Sequence, residues 1–267
     1  KAKKLSEFVL YTTEKVQEKE HLLELLTNMK FVGTGGSKSD ENPIEMHYRS
    51  LHTEVKELDE TSNVYKLIRS YADTNIAPMH NSLKIKIDTI FSLVKESENK
   101  NFDNSIGNNT LLFHGSRLTN MAGILSKGLQ VPASETAMTG MVFGKGIYFT
   151  DVFSKAVLQC QFHLSNGVCY VVVSEVALGA SNEMFSPDSG ASSLPFGTKS
   201  TKGCGRIAPE GEGKLVSIDG STKKVKVPEG KLVETEHRTS LLQFNEFVVY
   251  DNSQVRMRYL IKCTAGK

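Results

Sequence analysis

Residues 168–178 read Val-Cys-Tyr-Val-Val-Val-Ser-Glu-Val-Ala-Leu, an almost unbroken apolar run. A strand exposed on one face would alternate apolar and polar residues, so this one is read as a central strand covered on both faces. Around it, the odd positions Leu83, Ile85, Ile87, Thr89, Phe91 and Leu93 alternate with mostly polar neighbours and predict a half-buried strand. Near the end of the chain Glu246–Tyr250 and Val255–Cys263 predict two more, joined at Asp251-Asn252. In the second of these, Val255, Met257, Tyr259 and Ile261 alternate with Arg256, Arg258 and Lys262. Weaker strand signals lie at 46–58, 214–218 and 223–227, the last two inside a Gly-, Ser-, Pro- and Lys-rich stretch from 179 to 240.

Helical spacing appears in shorter pieces. Leu5, Phe8, Val9 and Val16, then Leu22, Leu25, Leu26 and Met29, predict one long or two consecutive amphipathic helices over 4–31. The Gly- and Ser-rich run Gly33–Pro43 follows and marks a subdomain boundary. Asn63 is expected to cap a helix carrying Val64, Leu67, Ile68 and Tyr71, and Asp151 one running to about Phe162. Met121, Ala122, Ile124 and Leu125 predict a short helix ended by Gly128. Residues 95–110 read as a solvated loop and 131–145 as a mobile one. The sum is a mixed α+β chain dominated by antiparallel strands.

Composition narrows the function. The 32 basic and 30 acidic residues leave a net charge of +2, which argues against a nucleic-acid module held mainly by charge. Cys160, Cys169, Cys204 and Cys263 show no CxxC spacing and read as reduced thiols of an intracellular protein. Neither G-x-S-x-G nor HExxH is present, so serine hydrolysis and metal chemistry lack their signatures, and no metal is expected. Two glycine runs imitate phosphate loops. Gly33–Lys38 has no preceding strand and the wrong spacing, and Gly140–Lys145 is one residue short with no Ser or Thr after the lysine. No apolar run reaches membrane-spanning length, no signal peptide opens the chain, and the start at Lys1-Ala2-Lys3-Lys4 suggests a piece of a longer protein.

Three polar groups stand in apolar settings. His114 and Tyr148 each end a short apolar run, with Gly115, Gly123 and Gly128 near the first and Gly140, Gly144 and Gly146 near the second. Either a small molecule is pressed against main chain there, or the rings belong to ordinary turns. Glu246 lies between Phe244 and Phe247-Val248-Val249. It either has a partner or ligand, or points to solvent from a one-sided sheet.

The motifs His114-Gly115-Ser116, Gly144-Lys145-Gly146-Ile147-Tyr148-Phe149, Ser174–Gly179, Lys202-Gly203 and Asn245–Tyr250 occur in that order. So do His47–Leu51, Ala77–Asn81 and Gln254–Leu260. In this the chain resembles the catalytic region of DNA-damage-dependent poly(ADP-ribose) polymerases, from about residue 20 to 263. The resemblance implies an ADP-ribosyltransferase-type fold with a split, mainly antiparallel β-sheet and short helices over 41–267. Residues 1–40 would be the C-terminal part of a helical regulatory subdomain. It implies cleavage of nicotinamide from NAD⁺, as co-substrate, and transfer of ADP-ribose to proteins, the chain itself included, or to a growing polymer. A nuclear protein reaching damaged DNA through modules absent from this fragment is implied as well, with no membrane partner.

By the same resemblance His114, Tyr148 and Glu246 form the catalytic triad. His114 would hold the adenine-side ribose, Tyr148 would stack on nicotinamide, and Glu246 would bind the nicotinamide ribose and stabilise the cationic transition state. Gly115 would offer main chain to the carboxamide, Ser116 would reach the adenosine half, and Gly123 and Gln130 would line that pocket. His80 and Lys155 match the acceptor side. Departures also show. Ala156 stands where the family usually has Ser, Gln159 where it has Tyr, and Met141 and Gln130 where close members tend to have Tyr and Arg. Losing a hydrogen bond and an aromatic face costs about 1 kcal/mol each, a roughly ten- to hundredfold weaker hold on nicotinamide. Mono-ADP-ribosylation, or a catalytically weak NAD- or ADP-ribose-binding scaffold, are the alternatives.

Overall fold

The computed structural model describes residues 42–132, 141–218 and 223–266. The helices expected over 4–31, nearly all of the Gly-rich boundary, and residues 133–140 of the expected loop lie outside the described residues. The apolar run forms β5 (Val168–Ala177), fourth in a seven-stranded sheet. Every residue from Val171 to Ala177 is buried. Val171 and Val173 enter one core cluster, while Val172 and Val176 enter two others on the opposite face. Both faces are therefore covered, as the run predicts.

On one side of β5 lies β13 (Val255–Gly266), which pairs antiparallel both with β5 and with β2 (Lys84–Val94). The edge beyond β2 is β1 (Glu54–Glu57). On the other side β3 (Asn109–Gly115) pairs antiparallel with β5. Next come β10 (Lys224–Val227), parallel to β3, and β9 (Lys214–Ser217). A second sheet has the order β4 (Ile147–Phe149), β12 (Glu246–Val249), β7 (Ser200–Gly203), β6 (Ser181–Met184). A small two-stranded sheet joins β8 (Ile207–Pro209) to β11 (Leu232–Glu234). The two larger sheets meet where Phe113 and Thr150 exchange main-chain hydrogen bonds of 2.8 and 3.0 Å. β12 and β13, adjacent in sequence, thus belong to different sheets. The architecture is the mixed, mainly antiparallel split sheet with short helices that the resemblance implies.

Several local expectations are corrected. Residues 46–58 are not one strand: α1 (Pro43–Ser50) comes first, with Asn42 Oδ1 accepting the Ile44 N–H at 3.0 Å, and only β1 is extended. α2 (Asn63–Thr74) is capped one residue early, by Ser62, whose Oγ accepts the Tyr65 N–H. The odd-position alternation of β2 holds to Ile87 and then shifts: Ile90, an even position, joins Ile87 in one core cluster, while Phe91 and the buried Leu93 pack in another. Asp88 is an extra residue opposite Lys262-Cys263, and a bulge of this kind moves the side chains beyond it to the other face.

The polar stretch 95–110 is not all loop. It contains α3 (Glu96–Asn101), held against β13 by Glu98, which accepts the Met257 N–H at 2.7 Å. Lys95 is only 3 % exposed. Its ammonium reaches the carbonyls of Leu51, His52, Leu125 and Ser126 and the Thr53 hydroxyl, at 2.6 to 3.3 Å. Two of these carbonyls close α4 (Met121–Lys127), where a cation suits the negative end of the helix, and burial lowers the Lys95 pKa. Gly128 does end α4, at a φ of +81°. Finally, α5 (Phe153–Gln159) is shorter than expected and Asp151 does not cap it: its N-cap is Val152, with no side-chain bond. The Asp151 carboxylate turns inward instead, to the amide of Asn245.

Candidate active site

The junction of the two sheets positions the site. β3 ends on His114-Gly115 and β4 carries Tyr148 in its middle, and the Phe113–Thr150 bridge locks the two strands together. His114 Nδ1 lies 2.9 Å from the Tyr148 carbonyl oxygen. A carbonyl can only accept, so Nδ1 carries the proton and Nε2 of the neutral ring is left as an acceptor. Burial lowers the His114 pKa, outweighing the opposing effect of that hydrogen bond, so the ring is neutral at pH 7.

Tyr148 is fixed at its far end. Its hydroxyl donates to the Gly144 carbonyl at 2.6 Å and accepts the Phe143 N–H at 2.9 Å. The Phe143 carbonyl is taken in turn by the Tyr250 hydroxyl at 3.0 Å. Burial, reinforced by the nearby Tyr250 and Glu246, holds the Tyr148 phenol well above its usual pKa, so it stays protonated. With the oxygen occupied on both sides, what Tyr148 offers a ligand is its ring face.

Glu246 opens β12. Val248 is the register partner of Tyr148, and Glu246, two residues back, projects from the same face of the sheet. Its Oε1 accepts Lys155 Nζ at 2.6 Å, and the same ammonium reaches the Asn245 carbonyl at 3.2 Å. The side chains are 16 % and 18 % exposed, so this pair is mostly withdrawn from water but not sealed. The sequence left Glu246 between partnered and solvent-facing; the structure gives it a partner.

Lys155 and Ala156 lie on α5, which packs against the end of β3. A Cβ at Gly115 would overlap the Ala156 carbonyl oxygen. That close approach of α5 is itself enough to require glycine there, apart from any contact with a ligand. Ala156 is fully buried, whereas Gln159 is exposed. His80, in a short 3-10 turn, lies beside the same helix, its Nδ1 2.8 Å from the Ser154 hydroxyl, and burial lowers its pKa.

The remaining site candidates sit apart, on the α4 side. Ser116 Oγ accepts the Asn120 amide at 3.1 Å. Gly123 lies within α4, and Gln130 is turned to Asn252, whose Nδ2 it accepts at 2.6 Å. Direct contacts therefore join His114 to Tyr148, Gly115 to Ala156, and Lys155 to Glu246, while Ser116, Gly123 and Gln130 lie before, within and after α4. Sequence reasoning missed the buried pair Asp151 and Asn245 behind Glu246, although Asn245 stands directly before Glu246 in the quoted motif. Among the described residues no group of three or more His, Cys, Asp or Glu is placed to hold a metal.

Set side by side, the site holds a neutral imidazole acceptor, an aromatic face and a carboxylate paired with an ammonium. Such a set can grip hydroxyls, stack a flat ring and stabilise positive charge. The family model described as poly(ADP-ribose) polymerase catalytic domain matches residues 62–265. Human poly [ADP-ribose] polymerase 2 is 38 % identical over 261 residues, covering 95 % of this chain and 44 % of that protein. Chicken (Gallus gallus) poly [ADP-ribose] polymerase 1 is 36 % identical over 254 residues, covering 94 % and 24 %. Poly [ADP-ribose] polymerase 2 of Arabidopsis thaliana is 35 % identical over 268 residues, covering 97 % and 41 %. The chain spans less than half the length of these relatives. Over the length that it does span, it belongs to the poly(ADP-ribose) polymerase catalytic domain family.

Proposed function

We propose that this chain is the catalytic part of an NAD⁺-dependent ADP-ribosyltransferase that extends poly(ADP-ribose) on protein acceptors, in a nuclear protein answering DNA damage. The observation that carries the reading is the Glu246 carboxylate, set by β12 on the same face as the ring of Tyr148 and paired with Lys155. Family membership and the relatives' names support it, and among the described residues no helix is long and apolar enough to cross a membrane.

In this reading the bond between nicotinamide and the ribose C1′ breaks with its electron pair leaving on nicotinamide. Positive charge then spreads over C1′ and the ring oxygen. Glu246 faces that charge and its attraction grows as the charge develops, which lowers the barrier rather than merely tightening substrate binding. An acceptor hydroxyl attacks C1′; Glu246 receives its hydrogen bond, polarises it, and takes its proton as the C1′–O bond forms, releasing that proton to solvent afterwards. Tyr148, with its hydroxyl tied down, stacks on nicotinamide, and the main chain at Gly115 meets the carboxamide. His114 Nε2 accepts from a ribose hydroxyl of the adenosine half. Ser116, Gly123 and Gln130 line the pocket for that half, and His80 and Lys155 stand toward the acceptor.

The deciding experiment incubates the full-length protein with labelled NAD⁺ and nicked DNA. A ladder of products is expected. A single step would instead mean mono-ADP-ribosylation, and saturable binding without release of nicotinamide would mean a scaffold.

Ala156 and Gln159 give the scaffold reading its only specific support, since a buried alanine and an exposed glutamine replace a hydroxyl and a ring. Ala156→Ser with Gln159→Tyr is expected to tighten nicotinamide binding roughly ten- to hundredfold, read as competitive inhibition of NAD⁺ turnover. An unchanged inhibition constant would remove these two positions as determinants of affinity.

A further inference from the structure

Two buried polar residues stand directly behind Glu246, Asp151 at 2 % exposure and Asn245 at 7 %. The Asn245 side-chain amide is held at both ends: Nδ2 donates to Asp151 Oδ2 at 2.7 Å, and Oδ1 accepts the Gly205 N–H at 2.9 Å. Its main-chain carbonyl accepts the Thr150 hydroxyl at 3.3 Å and the Lys155 ammonium at 3.2 Å. Glu246 is the next residue and takes the same ammonium. Asp151 is itself anchored, its carbonyl accepting Nδ2 of the wholly buried Asn75 at 2.6 Å.

A buried carboxylate normally collects several donors. Asp151 has one outside its own residue, and its Oδ1 has no hydrogen-bond partner. Helix capping does not account for it, because nothing on its side chain caps α5. What it does hold is the residue immediately before the proposed catalytic carboxylate, and its charge also faces the lysine paired with that carboxylate.

We infer that Asp151 and Asn245 are a positioning pair that aims the Glu246 carboxylate and the Lys155 ammonium into the site. This rests on the reading of Glu246 given above. Asp151 fixes Asn245 through the side-chain amide. Asn245 fixes the start of β12, and the Asp151 charge draws Lys155 toward the same point. The other ionisable groups that Asp151 feels are Lys202 on β7, which also favours its charged form, and the Tyr71 phenol on α2. Burial raises the Asp151 pKa to about 6, against the opposing effects of the Asn245 hydrogen bond and Lys155. The working form is the ionised one, so turnover falls as pH drops through about 6. Because the folded pKa lies above the ordinary carboxylate value, the charge costs stability at neutral pH rather than adding to it.

Asp151→Asn tests this, since an asparagine oxygen can still accept from Asn245 while the charge is gone. Expected is a fall of about tenfold in kcat with KM for NAD⁺ within about twofold, together with loss of the acid limb. Asn245→Asp alone sets two carboxylates against each other and is expected to be worse. The exchanged pair Asp151→Asn/Asn245→Asp restores one charge and one hydrogen bond and should recover kcat to within about threefold.

A second readout does not depend on turnover. In Asp151→Ala, amide hydrogen exchange at residues 245–247 should rise at least about tenfold while exchange in β13 stays as in the wild type. Wild-type protein that leaves NAD⁺ intact would defeat the proposed function, and the exchange measurement would still decide the positioning role. Unchanged kcat, pH profile and exchange in folded variants would overturn the inference, and so would losses shared equally by KM and kcat or no recovery on exchange.

Discussion

Glu246→Gln is expected to lower NAD⁺ turnover by about 10²–10³-fold while leaving NAD⁺ affinity within about threefold. Glutamine keeps the size of the side chain and an oxygen that can still accept from Lys155, which in the wild type lies 2.6 Å from Oε1. What it lacks is the charge. A ground-state ribose hydroxyl is neutral and binds an amide almost as well as a carboxylate, whereas the oxocarbenium-like state is cationic and does not. The loss should therefore fall on kcat. Steady-state release of nicotinamide, paired with calorimetric binding of a non-hydrolysable NAD⁺ analogue, separates the two quantities. Equal turnover in the variant would remove the electrostatic role.

Gly115→Ala should be as damaging, by a different route. A methyl group there overlaps the carbonyl oxygen of Ala156 and lies 2.7 Å from its carbonyl carbon, both of them main-chain atoms that cannot swing away. Either the end of β3 or α5 has to move. Overpacking of this kind costs about 1–3 kcal/mol, occasionally more, which for a domain of this size lowers Tm by roughly 2–4 °C per kcal/mol. The same shift would pull α5, with Lys155, away from the strand that carries His114, and turnover should drop on the order of 10²-fold. Gly266→Ala is a suitable control, because a Cβ at that position meets nothing within 4 Å. Wild-type Tm and kinetics in Gly115→Ala would mean that the close approach of helix and strand is not what demands glycine.

The elements that could be read from the sequence are those whose pattern is set by their own residues. β5 announces itself because both of its faces are buried, and β13 because its alternation runs for most of its length. β7 could not be read that way. Ser200 and Thr201 look like loop residues yet are fully buried, with the Ser200 hydroxyl donating to the Leu178 carbonyl at 2.8 Å. Such a strand is made by neighbours distant in sequence. The same applies to α3, whose polar residues are docked on β13 by the Glu98 contact and by Arg256 lying over the ring of Phe102.

The site divides along similar lines. His114 and Tyr148 stand out as polar rings at the ends of apolar runs, and Glu246 as a carboxylate among them, but their convergence and roles came from the resemblance. Asp151 was legible only as a helix cap, because an aspartate before a helix usually is one. Its inward turn depends on Asn245, 94 positions away.

The place of β13 bears on how such a chain reaches its fold at all. Among the described residues β13 is the sole link between β2 and β5 in the large sheet, joined to each of them antiparallel. As the chain leaves the ribosome, β1 and β2 appear early and β3 and β5 later, and neither group can close the sheet with the other. Each presents an unpaired edge until residues 255–266 arrive to lie between them. Assembly then awaits contacts of long sequence separation, the kind that slows folding and leaves strand edges open to wrong partners. Truncation before residue 255 is thus a break through the middle of the sheet, not the trimming of an edge.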